Sequence, residues 1–276
     1  MEITLAVLLQ HYLDDARREG RRAIPAARSC VRALLATPLA PRVATTVTYR
    51  ELRALAQQWM ADGLRPATIN RRFGILRRAV RVGVRDGLLP AGTALDVPHF
   101  LEQNVRQGFV EADVMQRVLE ALAGTPDVRD FVEWLWLTAM RRGEAAQLTW
   151  DMLADAELRI SGAITKNGRS RVLPIPPHSP VAALLARRRA CQQGPYIFHE
   201  RGRPLRYIHR VWKRAVQAAG VPHVVPHDLR RSAIRRFRQQ GASIEVCMAL
   251  AGHTTPSMFY RYRIVGADEM ANALQR

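Results

Sequence analysis

Lysine is nearly missing from this chain of 276 residues: Lys166 and Lys213 stand against forty arginines. A basic position filled without regard to chemistry would hold arginine here, so a lysine at a functional position carries information. Cysteine is scarce as well. Cys30, Cys191 and Cys247 are odd in number, far apart and without paired spacing. That pattern excludes a disulfide framework and a zinc site, and predicts three buried thiols in a reducing compartment. Long apolar runs are lacking too. The most apolar helix candidate, Phe131 to Met140, carries Glu133 in its middle, which speaks against a membrane span. The chain opens Met1-Glu2 without a basic region, and its first apolar run is cut by Gln10 and His11, so a cytoplasmic protein without a signal peptide is expected.

Acidic residues are the remaining shortage. Twenty-four Asp and Glu face 42 Lys and Arg, for a net charge of +18 and a pI near 11.3. A compact chain so charged repels itself, and a polyanionic partner relieves the repulsion. Lipid is the competing polyanion, but no apolar segment suited to a bilayer accompanies the charge. Nucleic acid is the expected partner.

What is present reads as mostly helix. Leu5, Leu8, Leu9, Tyr12 and Leu13 form one apolar stripe, and Leu52, Leu55, Ala56, Trp59 and Met60 another. A helix opening near Pro66 and running to about Gly87 buries Ile69, Phe73, Leu76 and Val80, and carries Arg71, Arg72, Arg77 and Arg78 on other faces. Pro90, Gly92, Pro98 and Gly108 punctuate a stretch without periodicity, predicting a linker from about 90 to 108. The expected domains are 1–98 and 109–276. Residues 1–98 hold a net charge of +8 and residues 99–276 one of +10, so both parts are basic. Beyond the linker, helices are expected over 111–123, 128–148, 180–192, 207–219, 227–240, 243–251 and 256–262. Short strands are expected at 158–160, 163–165 and 171–175, with Asn167-Gly168 as a hairpin turn.

Several segments carry chemistry. An arginine offers a planar fork that holds two phosphate oxygens, and Arg141 is expected in a helix with Glu144 one turn later on the same face; from this segment alone a solvated ion pair on an exposed helix is the simpler reading. His227 and Arg230, three apart after Pro226, share a helical face, where an imidazole can take a proton while the guanidinium holds an anion. The neighbouring Arg231 suits a backbone phosphate, although an exposed basic helix accounts for it too. His253 follows Gly252 at an expected helix end, a place where a histidine is often structural. Tyr262 lies nine residues on, and its phenol needs nearby cations or a base to become a nucleophile. Lys166 is the exception to the arginine rule, and an ammonium, unlike a guanidinium, can release a proton.

In this order, Thr138-Ala-Met-Arg-Arg-Gly-Glu144, Thr165-Lys-Asn-Gly168, His227-Asp-Leu-Arg230, Gly252-His253 and Arg261-Tyr262 resemble the boxes of the tyrosine recombinases, the phage-integrase family, with spacings of 25, 61, 3, 23 and 9 residues. The resemblance covers about Glu111 to the C-terminus, and the segments around Lys166 and Tyr262 look more like phage and mobile-element integrases than like chromosome-dimer resolvases. It implies a mainly helical, two-domain DNA clamp with a small antiparallel β-sheet in its C-terminal domain, residues 1–98 being a core-binding domain that grips DNA through arginines of the Pro66 helix. It implies that Tyr262 forms a 3′-phosphotyrosyl bond and that Arg141 and Arg230 clamp the scissile phosphate. Lys166 then protonates the leaving 5′-oxygen, His227 transfers a proton, His253 hydrogen-bonds the phosphate and Glu144 orients its neighbours. Neither metal nor other cofactor is implied. The implied partners are double-stranded DNA, a homotetramer assembled on it, and accessory DNA-bending or directionality proteins, with the protein at the nucleoid when bound. Ala139 stands where the family usually has glycine, expected as a small change in helix packing. Tyr260 competes with Tyr262 but lacks the spacing, and an arm-binding domain like that of the lambda integrase is not expected. A type IB topoisomerase and a non-cutting regulator on the same scaffold are the alternatives.

Overall fold

The computed structural model describes residues 2–20, 24–102, 109–256 and 259, and the chain divides into two compact units, 1–105 and 106–276.

The first unit is helical. α1 (Leu5–Arg18) begins where the Thr4 hydroxyl accepts from the Val7 N–H, and it buries the expected stripe of Leu5, Leu8, Leu9, Tyr12 and Leu13. α2 (Ile24–Leu35) buries Ala27, Cys30, Val31 and Leu34. α3 (Tyr49–Ala61) opens on a reciprocal capping box between Thr48 and Glu51. α4 (Pro66–Arg85) starts with proline in its first turn, where no N–H is needed. It lies so close to α1 that a Cβ at Gly83 would fall 2.5 Å from Leu8 Cδ2. The stretch after α4 is anchored rather than loose as far as Phe100: the Asn70 side chain accepts from the Phe100 N–H (3.0 Å) and donates to its carbonyl (2.8 Å), and Val97 is buried.

The second unit is built around α6. In chain order it comprises α5 (Ala112–Ala121), α6 (Pro126–Thr138), the single turn α7 (Arg142–Ala145), and strands β1 (Leu153–Ala154), β2 (Glu157–Ile160) and β3 (Arg171–Pro174). α8 (Pro180–Ala190), β4 (His199–Glu200), β5 (Arg203–Pro204), α9 (His209–Ala218), α10 (Pro226–Gln239) and α11 (Ile244–Ala251) follow. β1, β2 and β3 form an antiparallel sheet in sequence order, with Leu158 opposite Leu173, and β4 pairs with β5. Phe131 and Trp134 of α6 pack on Phe198 with ring centroids 5.3 and 5.4 Å apart, at the centre of the core.

Several expectations are corrected. The helix foreseen over 128–148 breaks at Ala139, whose backbone is left-handed (φ 56°, ψ 14°). Thr138 stabilises the break, its hydroxyl donating to the Trp134 carbonyl and accepting from the Met140 N–H. Residues 163–165 form turns, not a strand, so the β2–β3 connection is a folded loop over 161–170 instead of a tight hairpin. The β1 strand and the β4–β5 pair had no clear signal, each being only two residues long. Cys30 and Cys247 are buried, whereas Cys191 is exposed. The helix expected over 256–262 lies largely outside the described residues. Among the described residues, no helix is long and apolar enough to cross a membrane.

Candidate active site

The break after α6 creates the first part of the site. A helix C-terminus presents unpaired carbonyls and a partial negative charge, which attract guanidinium groups. Two arginines of α10 answer: Arg230 Nη1 donates to the Ala139 carbonyl (2.6 Å) and Arg236 Nη2 to that of Trp136 (2.8 Å). Arg236 also stacks 4.5 Å over the Trp136 ring. Arg230 is thereby buried while still lining a cleft of about 610 Å³ with Met140, Arg142, His209, Lys213 and His227.

Arg141 does not lie in a helix. It is the N-cap of α7 in an extended conformation (φ −69°, ψ 136°), so its side chain leaves the chain beside the α6 break. Its Nη1 donates to Glu144 Oε1 (2.8 Å) and its Nη2 to the carbonyl of Gly252 (3.1 Å). The solvated ion pair is thus excluded, because Glu144 is 2% exposed. The second oxygen of that carboxylate accepts from Arg171 Nη2 (2.7 Å) at the start of β3. Burial works to raise the Glu144 carboxyl, and the hydrogen bonds from Arg171 and Arg141 outweigh it, holding it below its ordinary value. Arg171 had no part in the expected site; only its place in the Arg171-Val-Leu-Pro-Ile175 strand was legible.

Gly252 ends α11 in the left-handed conformation (φ 66°), and the His253 N–H returns to the Met248 carbonyl (2.9 Å). His253 is buried beside the cations: burial first, then Arg230, Arg141 and His227, push its imidazole down to about 3. His227, in the first turn of α10, is also lowered by burial and by Arg230, with Asp228 opposing. Both rings are therefore neutral near pH 7, able to accept a proton or to donate one N–H without adding charge.

Lys166 is exposed on the 161–170 loop, and among the described residues no hydrogen bond or ion pair joins it to the rest of the site. That loop is shaped internally. Thr165 Oγ1 donates to the carbonyls of Gly162 (3.1 Å) and Arg169 (3.0 Å), and a Cβ at Gly162 would meet the Gly168 carbonyl oxygen at 2.3 Å. Tyr262, with Tyr260 and Arg261, lies outside the described residues. Arg141, Glu144, His227, Arg230 and His253 are brought together; with them stand Arg171, unforeseen, and Lys213, which lines the cleft.

Among the arginines expected on DNA, Arg71, Arg77 and Arg78 are exposed on α4, and Arg72 is half-buried 4.5 Å over the Trp59 ring. Arg231 is 4% exposed, facing Asp228 at 3.8 Å and the Phe109 ring at 5.3 Å, where the chain enters the second unit. Among the described residues, no group of three or more His, Cys, Asp and Glu is placed to hold a metal ion.

Comparison with known proteins bears on the family and the fold. The model of the phage integrase family matches residues 109–268. The tyrosine recombinase XerC of Corynebacterium efficiens is 26% identical over 243 residues, covering 84% of this chain and 78% of the relative. XerC of Mycobacterium sp. (strain KMS) is 28% identical over 228 residues, 76% of each chain. Two solved structures share the fold: a lambda integrase tetramer bound to a Holliday junction (TM-score 0.78, 20% identity, 95% of this chain and 78% of that one) and the Tn1549 transposon integrase in complex with transposon right end DNA (TM-score 0.77, 16% identity, 99% of each).

Proposed function

This chain belongs to the phage integrase family, and from that membership we propose how its residues carry the reaction. The protein is a tyrosine-type site-specific DNA recombinase, and the topoisomerase and regulator readings are not favoured, its relatives being recombinases. In the proposed mechanism the Tyr262 oxygen attacks the scissile phosphorus, forming a Tyr262–phosphorus bond as the bond to the 5′-oxygen breaks. The phenol proton passes to His227, whose lowered pKa leaves it an acceptor at neutral pH. Lys166 delivers a proton to the departing 5′-oxygen. Arg141 and Arg230 neutralise the charge gathering on the non-bridging oxygens, and His253 donates to one of them. A 3′-phosphotyrosyl bond and a free 5′-hydroxyl result, and reversal by another 5′-hydroxyl rejoins the strand without an external energy source.

One observation carries the assignment: Arg141, His227, Arg230 and His253, separated by as many as 112 residues in sequence, converge at one end of α6, where the first three all act on the His253 ring. DNA is the partner. The finer reading is a homotetramer on DNA served by accessory bending or directionality proteins, with the exposed Arg71, Arg77 and Arg78 on backbone phosphates. The protein is placed in the cytoplasm, at the nucleoid when bound. The C-terminal segment from 263, with Met270, Ala271 and Leu274, has the apolar spacing to dock on a neighbouring subunit.

The test is to express wild type and Tyr262→Phe in bacteria, lyse into denaturant, and sequence the protein-linked DNA. Adducts at discrete sequences with wild type alone establish the nucleophile and the target. Scattered adducts would point to a relaxing enzyme, and sequence-specific binding without adducts to a regulator.

A further inference from the structure

We propose that Arg171 is a positioning residue of this site, setting the orientation and the available charge of Arg141 through Glu144. The proposal rests on the reading that Arg141 holds the scissile phosphate.

Glu144 is shared. One carboxylate oxygen takes Arg141 at 2.8 Å and the other takes Arg171 at 2.7 Å, all three side chains being at most 16% exposed. With one arginine, a buried carboxylate would turn to engage it through both oxygens and cancel its charge. With two, each guanidinium is held through one nitrogen, and the trio keeps a net positive charge for a phosphate. Arg141 is then oriented by two acceptors on different elements, Glu144 on α7 and the Gly252 carbonyl at the end of α11. Arg171 is fixed in its turn, because its guanidinium fills the space above Gly252, where a Cβ would come within 2.9 Å of Nη1. It is also the first residue of β3, directly after the loop that carries Lys166. One side chain thus ties the β-sheet to the arginine and histidine segments of the site.

The experiment uses the full chain and a DNA duplex bearing a site recovered from wild-type adducts. Single-turnover cleavage and DNA affinity are measured for wild type, Arg171→Ala, Arg171→Lys, Glu144→Gln and the Ala/Gln double variant. Arg171→Ala is expected to cleave about 10- to 100-fold more slowly with DNA affinity retained. Arg171→Lys should recover part of the rate, since an ammonium restores the charge but not the fork. The double variant should be no slower than the slower single variant, because both act on Arg141 through one link. A duplex with a 5′-sulfur leaving group, which departs without a proton, should leave the Arg171→Ala defect in place. Should the alanine variant not fold, Arg171→Met, which keeps the stem, must meet the same expectations. Full-rate cleavage by a folded Arg171 variant, or defects that multiply in the double variant, would overturn the proposal while leaving the recombinase reading intact. A wild-type protein that forms no adducts at all would overturn both.

Discussion

The guanidinium of Arg230 donates a 2.6 Å hydrogen bond to the carbonyl of Ala139, the residue whose left-handed backbone ends α6. The bond needs both halves. Were the helix to continue through residue 139, that carbonyl would point along the axis to a later N–H instead of toward α10. Position 139, where the family usually has glycine, is therefore governed by backbone conformation and not by helix packing.

Ala139→Gly is predicted to be close to neutral. Leaving the left-handed conformation to glycine relieves about 1–2 kcal/mol. The extra freedom of the unfolded chain costs about 0.4–1 kcal/mol, and the lost buried methyl about 0.8 kcal/mol. Thermal unfolding should place the variant within about 1 kcal/mol of wild type. Ala139→Val, β-branched at a fully buried left-handed position, should lose at least about 2 kcal/mol. A valine variant as stable as wild type would refute the conformational argument.

Gly162→Ala should separate the Lys166 loop from the rest of the site. The new Cβ would lie 2.3 Å from the Gly168 carbonyl oxygen, a backbone atom that cannot swing aside. Because the loop is largely exposed, the thermal midpoint should hardly change while the loop is remodelled around Thr165 and Lys166. DNA cleavage should fall by about 10²-fold, the contribution of a proton donor, and a 5′-sulfur leaving group should restore it. Failure of sulfur to restore the rate would remove Lys166 from the role of acid.

Acid should destabilise the second unit through His253. Its pKa is about 3 in the folded chain against 6.5 for the ordinary imidazole, so below 6.5 the unfolded chain binds the proton first. The contribution is complete above pH 6.5 and is lost progressively as pH falls toward 3. His227, lowered in the same direction, adds to the trend. Urea midpoints measured from pH 7.5 to 4 should decline less steeply for His253→Gln than for wild type. Parallel curves would mean that the histidine is not held neutral.

Legibility in the sequence followed the range of the interaction. The stripes that became α1, α3 and α4 could be read because a helix repeats every 3.6 residues, and caps such as Thr48 with Glu51 act within one turn. Lys166 was conspicuous against forty arginines. His227 and Arg230 share a face of α10 by spacing alone. Arg171 and Arg231 were not legible. Each is an arginine in an arginine-rich chain, and only its neighbours distinguish a guanidinium bonded to Glu144 from one packed under Phe109.

The chain order of the boxes, the basic charge and the helical periodicity belong to the sequence by itself, since each depends only on residue type and local spacing. That Glu144 is shared between Arg141 and Arg171, that Arg230 caps a broken helix, and that His253 is held neutral were decided by the tertiary structure. The reason is physical: the energies of a buried ion pair, a helix-end carbonyl and a desolvated imidazole are set by which distant groups exclude water from them.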